Sequence, residues 1–444
     1  MRATTFEERV RIGKLSKKGL TDRQIARQLG LTIYTVRKWR RKQKRGGREG
    51  IFSLLGRPMR GALSSFPKKL VALLAMWRKQ HPGWGPKTLL TELALDDRWA
   101  GKTLPSRSSI ARWLKESGQV HLYEKHTELP SEDKASSVQA CHEEWEMDAK
   151  GYQPVANLGL ISLIDINDTF SRARLISYPC WVGLKRVQRS PSTEDYQQAL
   201  RLAFCQWGLP DRLATDHDRI FYDETSKSPF PTRFHLWLLA LGIQLSFGRL
   251  RVPQDQAITE RSHQIWDHQV LEGARFQTIE QLRFALNQRQ LFLNEKFPCA
   301  SLQDRAPLIA YPQARLPKRP YRPEYETDLI DLQHIYDYLS QGQWFRKISA
   351  VGSISIGGHI YHLGYDWRPD QHAEVTFEPA ESAYVCRSAS GKEKHFPASG
   401  LTKADLIGEL LPFQLPFFQV ALPFSWNEWR ALLYAEMPAT DTTL

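Results

Sequence analysis

Three acidic side chains stand where chemistry could use them: Asp148 in the segment WEMDAKG, Asp216 in ATDHDRIF and Glu260 in DQAITERSHQ. Two unit charges about 4 Å apart repel by roughly 4 kcal/mol at an effective dielectric near 20, so carboxylates that converge need a cation. Oxygen ligands without histidine or thiolate suit magnesium or manganese. Two such ions can activate a water or a 3′-hydroxyl and stabilise the leaving oxygen of a phosphodiester. Each acid has a competing explanation. Asp148, a strand aspartate among apolar neighbours, is costly to bury unpaired, and its alternative is a structural ion pair. Asp218 rivals Asp216 or merely caps the turn, Asp255 is a competitor of Glu260, and Glu260 itself would also suit the positive end of a helix.

The elements that must position these residues follow from apolar periodicity. Trp145 and Met147 alternate before Asp148, and LGLISLIDIND and ARLISY read as two further strands, making a three-strand meander. A helix opens at Ser192 with Asp195 as its box partner, carries Tyr196, Ala199, Leu200 and Phe204 inward, and stops at Gly208. A short strand from Arg212 to Thr215 delivers Asp216. A helix from Arg233 to Leu241, a strand (IQLSF) and a polar loop from Gly248 to Gln256 then lead to a helix with Glu260 in its first turn. The order is β-β-β-α-β-α-β-α.

These three acidic segments resemble the motifs of DDE transposases with a retroviral-integrase-like catalytic core, of bacterial insertion-sequence or transposon type. IDINDTFSRA is similar to the family's second strand, and the likeness covers roughly residues 140 to 275. The resemblance implies an RNase H-like fold with Asp148 mid-strand, Asp216 at the end of an adjacent strand, and Glu260 on a helix facing both. It implies two Mg2+ or Mn2+ ions per active site, serving hydrolysis at an element's end and then attack of the freed 3′-hydroxyl on target DNA. By the same comparison Asp165 and Asp168 are structural. Two features depart from the family: 43 residues separate Asp216 from Glu260, a long spacing, and Gln256-Ala257 replaces the usual Asn-Gly. An insertion around Tyr222 to Pro231 would absorb the first.

The net charge of +13 is concentrated, because residues 1 to 50 hold 16 Lys/Arg against 4 Asp/Glu. A polyanion explains such a local imbalance through counterion release at each neutralised phosphate. Within that segment, LTDRQIARQLGLTIYTVRKWRRK has Ala26, Gly30, Val36 and Trp39 at helix-turn-helix offsets. Thr21 would cap the first helix and Gly30 would supply the positive φ of the turn. The outer side of the second helix carries Tyr34, Thr35, Arg37, Lys38, Arg40 and Arg41, candidate contacts to major-groove bases and phosphates. A basic helical hairpin is the plainer alternative.

The chain is expected to be multidomain: a helix-turn-helix domain over 1–50, a second all-α, helix-turn-helix-like domain over 61–122, the α/β core over 138–275, a helical and basic linker over 276–342, a small β-barrel over 343–400 and a tail over 401–444. In the second helical domain, Arg107 and Arg112 of SRSSIARWLKE could read DNA, although a three-helix spacer fits equally. On the helix of Glu260, Arg261, His263 and Gln264 could hold phosphates, with Asp267 on the same side, and a solvated helix face is the alternative; His217 beside Asp216 is a weaker candidate. The Pro/Arg/Lys-rich stretch from Pro307 to Pro323 reads as a linker that could lie along DNA. The tail, with Phe413, Phe417, Phe418 and Phe424, is expected to pack on a neighbouring subunit or helper protein.

The longest apolar run, LWLLALGIQL, is half of the roughly 20 residues a membrane helix needs. Cys141, Cys180, Cys205, Cys299 and Cys386 lie far apart, without zinc spacing, and read as reduced thiols of a cytoplasmic, nucleoid-associated protein. The expected partners are double-stranded DNA, as transposon ends and target, further copies of the chain on that DNA, and an ATPase helper. A reading of another class is a helix-turn-helix regulator whose integrase-like core is inactive. Substituting Glu260 separates the two.

Overall fold

Thr5 opens the first helix by a capping box with Glu8, and Thr21 opens the second by one with Gln24, each satisfying two orphan backbone donors. The helices are α1 (Phe6–Lys17), α2 (Asp22–Leu29) and α3 (Ile33–Gly46). Gly30 ends α2 with φ +64°, the left-handed turn that lets α3 cross over it. Ile12, Ile25, Ala26, Val36 and Trp39 form their core. Arg9 is buried too. Its guanidinium lies 4.0 Å from the Trp39 ring centre and donates to the carbonyls of Thr4 and Ile51. The computed structural model describes residues 4–47, 49–51, 61–120, 138–155, 157–184, 187–215, 220–223, 228–247 and 257–408.

The chain divides into two compact units, residues 1–71 with 105–120, and residues 72–104 with 121–444. The second helical segment therefore contributes to both. Of its helices, α4 (Lys68–Gln80) begins in the first unit, α5 (Pro86–Leu95) belongs to the second and α6 (Arg107–Glu116) to the first. Glu116 of α6 accepts from the Ala62 N–H at 2.9 Å.

The second unit is built on a six-stranded sheet of order β4-β3-β2-β1-β5-β8. Strands β1 (Glu144–Val155), β2 (Gly159–Asp168), β3 (Arg174–Leu184) and β4 (Val187–Gln188) form an antiparallel meander. After α7 (Thr193–Trp207), β5 (Arg212–Thr215) runs parallel to β1. The hairpin of β6 (Tyr222–Asp223) and β7 (Phe230–Pro231) and helix α8 (Arg233–Ala240) follow, and then β8 (Gln244–Phe247) parallel to β5. Helix α9 (Ala257–Trp266) passes through a π-helical turn, Asp267–Leu271, before α10 (Ile279–Glu295). This is the strand and helix order expected from the sequence, a mixed α/β core, with β4 and the β6–β7 hairpin added to it.

Alternation along the strands gives the sheet two different faces. Trp145, Met147, Ile164 and Ile166 pack with Ala199, Phe204 and Trp237 of α7 and α8 in the main core. Ile161 and Leu163 point the other way, into a smaller core with Trp266, Leu282 and Leu286 of α9 and α10. Asp148 and Asp165 share the second face by their spacing from these residues.

The stretch from Pro307 to Pro323 is not a linker but part of the main core. It begins with α11 (Pro307–Ala310), and Leu308, Ala314 and Tyr321 are buried. Gly208, with φ +78°, ends α7 where a Cβ would lie 2.6 Å from the Arg319 carbonyl oxygen, so only glycine admits this segment. Arg319 in turn donates to the carbonyls of Pro210, Leu241 and Gly242, satisfying the end of α8. Its positive charge is spent inside the fold, which is what composition alone misread.

Helices α12 (Glu326–Leu329) and α13 (Leu332–Ser340) lead into the C-terminal strands. The expected barrel does not close. Strands β9 (Trp344–Lys347), β12 (His372–Glu378), β13 (Ala383–Ser388) and β14 (Glu393–Pro397) form an open antiparallel sheet, while β10 (Ser353–Ile356) and β11 (His359–His362) pair as a separate hairpin. The apolar face is covered from outside, by Phe230 against Trp344 at 4.8 Å and Tyr336 against Phe377 at 5.3 Å, so burial does not require closure. Helix α14 (Lys403–Ile407) ends the described chain, and the expected tail contacts beyond residue 408 lie outside the described residues.

Candidate active site and DNA-reading surface

Asp148 sits in the middle of β1, opposite Asp165 of β2 in the antiparallel register. Its side chain is 22 % exposed, whereas that of Asp165 is fully buried. The parallel register of β1 with β5 aligns Glu146 with Ala214, and β5 ends at Thr215, the residue before Asp216. Asp216, its rival Asp218 and His217 themselves lie outside the described residues, as does Asp255. Glu260 belongs to α9, which packs on β1 and β2. Asp148 and Thr215, the residue before Asp216, thus lie on neighbouring strands, and α9 packs on the first of these.

An ion pair with a buried lysine and an exposed aspartate ties α9 there. Lys150, two residues after Asp148 on the same strand face, pairs with Asp267 at the end of α9 and donates to the His263 carbonyl at 3.4 Å. Asp267 therefore turns toward the sheet. His263 does the same: its Nδ1 lies 3.8 Å from Asp148 Oδ2 and its Nε2 3.2 Å from Asp165 Oδ2, with the side chain only 14 % exposed. The ring lies against carboxylates rather than where a phosphate would reach it. Burial, reinforced by Lys150, pulls the imidazole down to about 4, so it is neutral at pH 7. Arg261 and Gln264, by contrast, are exposed and bonded to each other at 2.9 Å, available on the outer side of α9.

Asp168 and Asp165, both expected to be structural, differ. Asp168 accepts from the backbone N–H groups of His142 and Ser171, each at 2.8 Å, and from the Ser171 hydroxyl, which accounts for its burial. Among the described residues, both Asp165 oxygens lack a hydrogen-bond partner. The 3.2 Å approach of His263 is not aligned as a hydrogen bond, and the hydroxyl of Ser177, its neighbour across β3, is likewise unbonded. Burial pushes the Asp165 carboxyl up to about 7, with Ser177 and Lys150 opposing and Asp148 adding to the rise. The signal for it was in the sequence, as an acid inside the apolar run LGLISLIDI.

Would a divalent cation fit? The half-buried Asp148 carboxylate offers oxygen only, and beside it lie the buried Asp165 carboxyl and the neutral His263, with the Lys150 ammonium close by and paired to Asp267. Among the described residues no three ligating groups form a closed cage. Asp148 is the one expected ligand whose side chain is described, and its carboxylate oxygens are of the kind Mg2+ or Mn2+ takes.

In the first unit, Tyr34 is 83 % exposed at the start of α3, and Arg37, Lys38, Arg40 and Arg41 stand out along the same helix. Arg37 and Arg40 both reach Asp22, at 3.4 and 2.6 Å. Such surface pairs are worth at most about 1 kcal/mol and can be exchanged for phosphates. Thr35 is half-buried and shares its hydroxyl with the cap residue Thr32 at 2.8 Å, so part of its role is to start the helix. Arg107 and Arg112 are exposed on α6, in the same unit. Helix α1 and its buried Arg9 went unread in the sequence, although Thr5 and Glu8 spell a capping box.

Residues 3–52 match the Homeodomain-like domain family. Among solved structures, the chain is similar to the catalytic core domain of BIV integrase, at 16 % identity over 39 % of this chain and 95 % of that one, with a TM-score of 0.27. It is similar to the HTLV-2 integrase catalytic core domain in complex with magnesium, at 15 % identity over 38 % and 96 %, with a TM-score of 0.27. It is also similar to a chain of the simian T-cell lymphotropic virus intasome in complex with the PP2A regulatory subunit B56 gamma, at 14 % identity over 58 % and 77 %, with a TM-score of 0.30. The N-terminal segment thus matches a homeodomain-like family over its helix-turn-helix, and a mixed α/β core follows it.

Proposed function

We propose that the protein is a DNA transposase whose helix-turn-helix unit binds transposon ends and whose core cuts and joins DNA with Asp148, Asp216 and Glu260. The observation that carries this reading is the position of Asp148: mid-strand, half-exposed, next to the strand that leads into Asp216 and under the helix that bears Glu260.

In this reading Asp148, Asp216 and Glu260 hold two Mg2+ or Mn2+ ions, which when bound supply activation of the attacking water or 3′-hydroxyl and charge neutralisation at the leaving oxygen. Lys150 and Asp267 keep α9, and with it Glu260, against the sheet. Arg261 and Gln264 lie outward, where a DNA backbone would pass. Tyr34, Thr35, Arg37, Lys38, Arg40 and Arg41 read the ends, with Arg107 and Arg112 adding contacts. Synapsis of two ends calls for several copies of the chain on DNA, target choice for an ATPase helper, and such work places the protein at the nucleoid.

The test is strand transfer. A labelled duplex copied from the DNA flanking the gene is incubated with supercoiled plasmid and Mg2+ or Mn2+, using wild type and Glu260→Gln. Joined product from wild type alone, with end binding equal in both, is the expected result. Equal behaviour of the two proteins in every assay favours the regulator with an inactive core instead.

A further inference from the structure

We infer that Asp165 and His263 form a brace behind the metal site: Asp165 orients the His263 ring, and His263 holds the Asp148 carboxylate in the attitude a metal ion needs. The inference rests on the proposed metal-binding role of Asp148 and adds two positioning residues to it.

The geometry is a line of three groups across two strands and a helix. Asp165 Oδ2 lies 3.2 Å from His263 Nε2, and His263 Nδ1 lies 3.8 Å from Asp148 Oδ2. The ring thus stands between the acids, one nitrogen toward each. The strands fix the acids opposite each other in register, and Lys150 fixes the helix by its bonds to Asp267 and the His263 carbonyl. All the hardware of a rigid arrangement is present.

Asp165 has no other evident task. It is fully buried, both oxygens lack hydrogen bonds, and the folding core would be better served by an apolar residue in the run it interrupts. A buried imidazole that directs one N–H at a metal-ligating carboxylate needs something to keep its proton on that nitrogen. A group that donates to, or is shared with, the opposite nitrogen does this, as partners behind metal ligands commonly do. Asp165 is in that place. The contacts are longer or less aligned than hydrogen bonds, so the brace acts by the placement of the ring between the two acids.

The experiment is Mn2+ titration of the full chain followed by electron paramagnetic resonance, on wild type, Asp148→Asn, His263→Leu, Asp165→Leu and Asp165→Asn, with thermal melts of each. Loss of tight Mn2+ binding in Asp148→Asn establishes the site. The brace then predicts binding weakened roughly 10–100-fold in His263→Leu and Asp165→Leu, and binding close to wild type in Asp165→Asn, whose amide still donates to Nε2. A merely structural pair would lower the melting temperature and leave the Mn2+ affinity of the folded protein alone. Wild-type affinity in folded His263→Leu overturns the brace, and this variant decides the matter if Asp165→Leu does not fold. Wild-type affinity in Asp148→Asn, or no tight site in wild type, overturns the metal reading itself rather than the brace.

Discussion

The two faces of the central sheet each cover a buried carboxyl group, and the two are treated in opposite ways. On the α7 side, Glu326 is fully buried and fully engaged: Arg201 donates to both of its oxygens at 2.8 and 2.7 Å, Trp237 donates at 2.8 Å, and the Tyr321 hydroxyl donates as well. Arg201 is itself completed by the Ile407 carbonyl at 2.7 Å. On the α9 side, Asp165 is equally buried, and among the described residues neither of its oxygens makes a hydrogen bond. Burial without satisfaction costs stability that a fold does not spend for packing alone. The contrast separates a staple, which ties α12 and α14 to α7, from an acid to which we assign a positioning role.

The difference can be broken at either end. Glu326→Leu strands the Arg201 charge in the core and is expected to cost about 3–5 kcal/mol, read by denaturant unfolding, while the double variant Arg201→Met/Glu326→Leu recovers much of that loss. A cost below about 1 kcal/mol for the single variant would mean that the staple is not what holds the C-terminal helices.

A second prediction concerns pH. Burial holds the His235 imidazole down to about 4, against an ordinary value of 6.5, so the unfolded chain takes up a proton before the folded one does. Stability is therefore complete above about pH 6.5 and falls by up to about 3 kcal/mol as pH drops toward 4. His263, held low in the same way, adds to the slope. Replacing His235 with Gln should remove about half of it in melts between pH 7 and 4.5; an unchanged slope would show that His235 is protonated in the fold.

Smaller still, Asp165→Leu should leave stability unchanged or raise it by about 1 kcal/mol, since it removes an unsatisfied group. A clear loss would reveal a partner for Asp165 and erase the contrast with Glu326. Finest of all is the reader. Lys38→Ala or Arg41→Ala should weaken DNA binding in a salt-dependent manner, each lowering the slope of log affinity against log salt by about 0.9. A slope unchanged by both would remove α3 from the DNA interface.

How much of this was written in the sequence differs from residue to residue. The helix-turn-helix was legible because its determinants are local: Thr21 caps, Gly30 turns, Val36 and Trp39 fall inward. The order of strands and helices in the core was legible for the same reason, each element carrying its own period and cap, as Ser192 and Asp195 do for α7. What could not be read depends on partners far along the chain. Arg319 looked like linker charge because its three carbonyl acceptors are 77 to 109 residues away. The barrel was expected from short strands and turns, but its cover comes from Phe230 and Tyr336, outside the strands. His263 was placed on the outer face because helical spacing says which residues align, not which side meets the sheet. Asp165 was set aside as structural, and that its oxygens make no hydrogen bond among the described residues depends on neighbours the sequence does not show.

The most direct measurement of the central claim is metal rescue at Asp148. Asp148→Cys, assayed for strand transfer of the labelled end, should be inactive with Mg2+, which a thiolate holds poorly, and regain product with Mn2+ or Cd2+. Wild type should be inactive in chelator. Joining by Asp148→Cys in Mg2+ at the wild-type rate, or joining by wild type without any divalent cation, would contradict the assignment of Asp148 as a metal ligand and with it the proposed chemistry.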